Sequence, residues 1–273
     1  MEISEAIAVN AVEQDQREKC WYCGRQPPPG ELKNDEQADP DTSAGELAGG
    51  VIPENRLGND SSKLGKALIA AKFAEPDWKI ENPAKPGNQT NVVPAAHHCI
   101  PGEASLAQAA GLHVFMRKGG DYQFESDIGY GVNHANNGVW LPGNYAVRED
   151  NPEFDFKTWT QYLPAFQQTY VRSAMASASG RMFHDSHRKY NGRVKDTLNS
   201  IAAKLTKPVK TNCPICDRPL DDRKNRPPYG LVARLDFVSG EHRNMVVNPT
   251  AKTVTAGYFT SSKGGRVVLS PLP

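Results

Sequence analysis

The chain has 273 residues, 38% hydrophobic and 23% charged, with a net charge of +1, a length that suits one large or two small domains and a composition that suits a polar, soluble globular protein. No stretch approaches the roughly 18 consecutive apolar residues of a membrane span. The start, Met1-Glu2-Ile3-Ser4-Glu5, is acidic where a secretory leader is basic, so no cleaved signal peptide is expected.

Residues 5–19 have a weak helical period carried by Ile7, Val9 and Val12, and Cys20-Trp21-Tyr22-Cys23-Gly24 then reads as a tight turn. Pro27-Pro28-Pro29-Gly30 opens a polar loop or linker running to Gly50. A helix is expected over 62–74, ended by Pro76. Val92-Val93 leads as a short strand into Pro94-Ala95-Ala96-His97-His98-Cys99-Ile100-Pro101. A helical turn or two follows over 105–111, a Gly/Asn-rich loop over 127–137, and a short strand at Val139-Trp140-Leu141. Residues 156–179 and 190–205 are expected helices, the second with Tyr190, Val194, Leu198, Ile201 and Leu205 on one face. From about Arg226 the β-branched clusters at 231–238, 245–247 and 266–269 sit between glycines and asparagines and read as β-hairpins. The expected organisation is α+β: an N-terminal segment 1–60, a core 61–206 and a β-hairpin-rich C-terminal segment 207–273.

Four of the five cysteines form two Cys-x-x-Cys pairs, Cys20/Cys23 and Cys213/Cys216. Each spacing suits half of a tetrahedral Zn²⁺ site, so the two ends of the chain are expected to meet on one structural zinc. A redox dithiol fits less well, because neither pair follows a βαβ pattern. A zinc finger contacting nucleic acid also competes, but the first pair lies in acidic surroundings. The remaining Cys99 reads as a buried free thiol.

Alone, two adjacent histidines in an apolar segment read as surface or hydrogen-bonded core residues, and it is their companions downstream that reverse that preference. Downstream stand Asn137-Gly138-Val139-Trp140-Leu141-Pro142 and then His184-x-x-His187-x-x-Tyr190, whose histidines, three apart at a helix start, can face one point. Imidazole is both the commonest transition-metal ligand and the natural base near neutral pH. Hydrolysis of a phosphodiester needs a base for water, a cation for the charge on phosphate and leaving oxygen, and a held tautomer. Neighbouring strand residues point to opposite faces, so His97 and His98 converge only where the strand ends or twists.

These three motifs resemble, in order, the AHH group of the HNH/endonuclease VII nucleases: Ala96-His97-His98, then Asn133 to Pro142, then His184 to Leu198. The resemblance covers roughly residues 90–205 and implies a ββα-metal fold. It implies His98 as general base, His97 as a metal ligand and Asn137 as the amide that positions the base. His184 and His187 would complete the metal site, with phosphate contact as the alternative for His184. The implied cofactor is a divalent cation, Mg²⁺, Zn²⁺ or similar, beside the structural Zn²⁺ of the cysteines. The implied enzyme is an endonuclease with little sequence preference, acting on DNA, with a ribonuclease as the nearest rival. The family setting is a bacterial toxin: made in the bacterial cytoplasm, delivered by a type VI or similar secretion system into a target cell's cytoplasm, and neutralised by an immunity protein.

Residues 181–210 carry an excess of six positive charges while residues 1–60 carry an excess of eight negative ones. Arg181, Arg188, Lys189 and Arg193 overlap the histidine helix and are the expected phosphate contacts, with Lys195, Lys204, Lys207, Lys210, Arg223, Lys224 and Arg226 beyond them. The rival from another class is a zinc-stabilised, non-catalytic protein that only holds nucleic acid. His113, His134 and His242 have no role legible in the sequence.

Overall fold

The computed structural model describes residues 2–12, 20, 22–23, 58–113, 115–116, 128, 130–205, 212–213, 215–217 and 230–270. The loop expected over 27–50, positions 13–19 of the first expected helix, and Lys207, Lys210, Arg223, Lys224 and Arg226 lie outside these residues. The chain divides into two units. One comprises Asn59–Ile100, Asn133–Arg193 and Ser239–Pro273 and holds both histidine pairs; the other comprises Met1–Gly58, Pro101–Val132 and Val194–Val238 and holds both cysteine pairs.

In the histidine unit, Asp60 accepts the Lys63 amide at 2.9 Å and so caps helix α2 (Ser61–Ala70); α1 (Ile3–Val12) precedes it in the other unit. Leu64 and Leu68, one helical turn apart, pack with Ala96 and Trp140, and Trp78 and Ala135 close around them. Strands β1 (Trp78–Glu81) and β2 (Gln89–Val92) pair antiparallel, with Trp78 opposite Val92. After Val93, β3 (Pro94–His98) pairs antiparallel with β4 (Gly138–Pro142), setting His97 opposite Val139 and His98 opposite Gly138. All of β4 and the last four residues of β3 are buried, as expected of strands covered on both faces. A Cβ on Gly138 would stand 2.7 Å from Leu64 Cδ1, so glycine there lets α2 close on the strand pair beside His98.

Helix α4 (Pro164–Ser177) starts with proline at its first position, where no amide partner is lost. Helix α5 (Arg188–Leu205) buries the whole stripe read from the sequence, Tyr190, Val194, Leu198, Ile201 and Leu205.

The C-terminus corrects the sequence reading. The expected hairpins are helices: α6 (Leu231–Val247) contains both the 231–238 and 245–247 clusters, α7 is Ala251–Thr255, and α8 (Ser262–Leu269) contains the 266–269 cluster. Leu231, Leu235, Val238, Ser239, His242, Met245 and Val246 are the buried residues of α6, recurring at spacings of three and four that satisfy a helix and not a strand. Gly264 and Gly265, which resemble a hairpin turn, are close-packing positions inside α8. A Cβ on Gly264 would meet Met182 Sδ at 3.1 Å, and Ser261 caps the helix through the Gly264 amide.

The cysteine unit buries Ile7, Ala8, Ala11 and Val12 of α1, and sets Tyr22 edge-on to Phe115 with ring centres 6.5 Å apart. After Pro101 a single wide turn over Gly102–Leu106 leads to the short helix α3 (Ala110–His113). Among the described residues no helix is long and apolar enough to cross a membrane.

Candidate active site

His97, His184 and His187 come together. Their ring centres lie 5.2, 5.3 and 5.1 Å apart, close to an equilateral triangle, and one nitrogen from each lies within 4.8 Å of the others. Tyr190 braces the His97 ring edge-on at 5.1 Å and donates its hydroxyl to the Cys99 carbonyl at 2.7 Å. The segment carrying His184 is pinned on both sides: the His184 amide donates to Pro142 O at the end of β4, and the Met182 amide to Val246 O in α6. His187 stands one residue before α5, and its Nδ1 meets Asn191 Oδ1 at 2.7 Å. A carboxamide oxygen only accepts, so Nδ1 carries the proton and Nε2 keeps its lone pair.

A divalent cation fits this set. His97 Nε2 is buried with no hydrogen-bond partner, an arrangement a protein rarely leaves without a ligand. Burial, with the neighbouring His184 and His187 next in size, holds the His97 imidazole well below its ordinary value, and burial pushes His184 down to about 3, so both lone pairs are available at neutral pH. Imidazole–metal bonds of about 2.0–2.1 Å in tetrahedral directions put ring centres about 5 Å apart, as observed here. Three protein ligands leave a position open, which is the form of catalytic rather than structural sites.

His98, next along β3, stands outside the triad. Its Nε2 lies 2.8 Å from Asn133 Oδ1. That oxygen also accepts the Asp60 amide at 3.1 Å, which fixes the orientation of the carboxamide, because an amide N–H must face its oxygen. His98 Nε2 is therefore the protonated nitrogen, and Nδ1 holds the free lone pair. Burial keeps the ring below its ordinary pKa and hence neutral, against smaller opposing effects of the Asn133 bond and the Asp60 carboxylate. Strand alternation thus divides the labour: His97 goes to the triad and His98 to Asn133.

The amide that holds His98 is not the one expected. Asn137 instead bridges the exit of β3: its Oδ1 accepts from the Ile100 amide at 2.7 Å and from Ser239 Oγ at 2.9 Å, and its Nδ2 donates to Ile100 O at 2.9 Å. It shapes the backbone after His98 and leaves the imidazole to Asn133, four residues earlier in the same motif.

Of the basic residues expected at phosphate, Arg188 and Lys189 are exposed at the start of α5 beside His187. Arg181 donates to Trp140 O at 3.1 Å and lies over the Trp78 ring, and Arg193 donates to Ala256 O at 2.7 Å. Cys99 is fully buried outside the triad, its thiol raised to about 12 by burial.

His242, without a role in the sequence reading, is buried behind Tyr190, between it and Tyr258, with Nδ1 3.4 Å from Cys99 O. Burial lowers its pKa from 6.5 to about 4. The unfolded chain therefore binds this proton first as pH falls, so the stability His242 contributes is complete above about pH 6.5 and lost as pH falls through about 4, a loss of roughly 3 kcal/mol. Urea midpoints of the wild-type protein should fall across that window, and those of His242→Phe should fall less steeply.

In the other unit the four cysteines also meet, although 193 residues separate the partners of each cross-pair. Cys20 Sγ lies 3.8 Å from Cys213 Sγ and Cys23 Sγ 3.7 Å from Cys216 Sγ, and all four sulphurs lie within 4.8 Å of one another. A disulfide would need about 2.05 Å. Zn–S bonds of about 2.3 Å in tetrahedral directions require S···S separations of about 3.8 Å. The sulphur set fits one zinc with no open position.

Three histidines that could hold a metal ion thus stand next to a fourth, neutral imidazole. Residues 80–211 match the model of a nuclease family of the HNH/ENDO VII superfamily with conserved AHH. The match spans a little under half of the chain, and the conserved triplet falls on Ala96-His97-His98. No curated protein and no solved structure matches the chain.

Proposed function

We propose that the chain is a divalent-cation-dependent endonuclease that hydrolyses DNA phosphodiester bonds with little sequence preference. In this reading β3, β4 and α5 form a ββα-metal unit. His97, His184 and His187 hold the cation, and the chemistry it supplies is offset of negative charge on the phosphate and on the leaving oxygen. His98 Nδ1 removes the proton from the attacking water as its oxygen bonds phosphorus and the P–O bond to the leaving sugar breaks. The imidazolium so formed keeps its Nε2–H on Asn133 Oδ1 and is favoured by the nearby Asp60 carboxylate. Arg188 and Lys189, exposed beside His187, contact the neighbouring phosphates without reading bases. The observation that carries this reading is the triad set beside a histidine whose free nitrogen is fixed by Asn133.

The experiment is digestion of circular plasmid and of RNA, in parallel, with Mg²⁺ or Mn²⁺ and with or without EDTA. A circle has no ends, so nicking or linearisation that EDTA abolishes is endonucleolytic. Cleavage of RNA alone would overturn the choice of DNA, and cleavage of neither would overturn the reading as a nuclease. Asn133→Ala is expected to lower the rate by about ten- to a hundredfold, the usual cost of losing a partner that orients a histidine, while Asn137→Ala should act mainly on stability.

The same family resemblance supports a setting as an antibacterial effector delivered into a target cell's cytoplasm, with an immunity protein as partner. Cytoplasmic expression in a bacterial host should then arrest growth, and His98→Ala should relieve the arrest.

A further inference from the structure

Tyr145, whose ring faces that of His184, also lines a cavity of about 420 Å³ together with Asn144, Val147, Arg148, Thr158, Trp159 and Thr160. We infer that this cavity is a subsite for an unpaired nucleobase, that of the nucleotide next to the scissile phosphate. The inference rests on the nuclease reading above.

Tyr145 is the wall shared with the metal site. Its ring lies nearly parallel to that of His184, 28° apart with centres at 6.2 Å, and its hydroxyl is 3.4 Å from His184 Nδ1. The side chain is nonetheless 48% exposed, large for an aromatic ring held so close to a histidine cluster. Its position is built in: a Cβ on Gly143 would stand 2.9 Å from Tyr145 Cδ2, so only glycine at the end of β4 lets the ring lie back against His184.

Trp159 is held as firmly. It stacks on Phe183 at 5.9 Å, meets Tyr170 edge-on at 5.5 Å, and its carbonyl accepts Gln167 Nε2 at 2.6 Å. The turn carrying it is locked by a reciprocal cap between Thr158 and Gln161. Phe183 adjoins His184 in sequence, so one short segment supports both the tryptophan and the metal-site histidine.

The ligand class follows from this lining. Two fixed aromatic rings offer stacking surface to a flat ring system, which every base presents. Asn144, Thr158 and Thr160 each donate and accept, matching the mixed donors and acceptors of a base edge. Arg148, in an exposed ion pair with Asp150, can exchange that partner for a phosphate. A paired base presents its edge to its partner and its faces to the stack, so it must leave the duplex to enter. The site therefore favours single-stranded or locally opened nucleic acid.

The test is quenching of Trp159 emission by trithymidylate, with EDTA present so that nothing is cleaved. The expected result is a saturable quench in the wild-type protein that disappears in Trp159→Phe, with affinity about tenfold weaker in Tyr145→Ala. Trp159→Phe is needed because the chain has four tryptophans. Absence of a quench, or a quench unchanged in both variants, overturns the subsite. The measurement needs no catalysis, so the two readings fail separately: cleavage without a quench removes the subsite alone, and a quench without cleavage leaves a nucleobase site but overturns its place beside a scissile phosphate together with the nuclease reading.

Discussion

His98→Ala should lower the rate of plasmid cleavage by about 10²–10⁴-fold, the contribution of a positioned general base. Divalent-cation affinity should change little, because His98 lies outside the set formed by His97, His184 and His187. His97→Ala should do the reverse, weakening cation binding first and activity as a consequence. The substitution at His98 also opens a space at a site 5% exposed, so loss of activity alone would not separate chemistry from packing. Exogenous imidazole makes the separation. It restores part of the rate to His98→Ala if the missing group is a base, and restores nothing if the missing group is only a packing element. Full activity in His98→Ala would falsify the assignment of the base.

The second large effect lies in the cysteine unit. Cys213→Ser should remove about one equivalent of zinc per chain and lower the thermal midpoint by ten degrees or more. Structural zinc contributes on the order of 10 kcal/mol to small sites, and a chain of this size loses about 2–4 °C per kcal/mol. The geometry motivates the prediction: sulphur separations of 3.8 and 3.7 Å are those of a zinc tetrahedron. Hydrogen bonding to Cys213 and burial also raise the Cys20 thiol, the opposite of the lowered thiol of a redox centre. Below the lowered midpoint, cleavage should still depend on His98, since the cysteines and the histidines lie in different units. Unchanged zinc content in Cys213→Ser would remove the site.

What the sequence made legible and what it hid have physical reasons. His97, His98, His184 and His187 were legible because imidazole side chains in apolar or helix-start positions have few structural uses, and their spacing places them. The meeting of the cysteine pairs was legible because four thiols at that spacing make one tetrahedron. The amide beside His98 was not, because its identity depends on a tertiary contact: the Asp60 amide, at the start of α2, turns the Asn133 oxygen toward the ring. Nothing in the spacing of Asn133 and Asn137 reveals that. His242 was hidden for the same reason, since it acts through a ring contact with Tyr190 and through the Cys99 carbonyl, both distant in sequence. In the C-terminal segment β-branched composition masked a helical period. Burial at Leu231, Leu235, Val238 and His242 shows the period that local composition obscured.

The most direct measurement is anomalous diffraction from crystals of the full chain soaked in Mn²⁺ at its absorption edge. The account predicts a peak bounded by the rings of His97, His184 and His187, with His98 adjacent and held by Asn133, and loss of that peak in His97→Ala. A cation bound elsewhere in the chain, or three imidazoles that remain without one while Mn²⁺ supports cleavage, would contradict it.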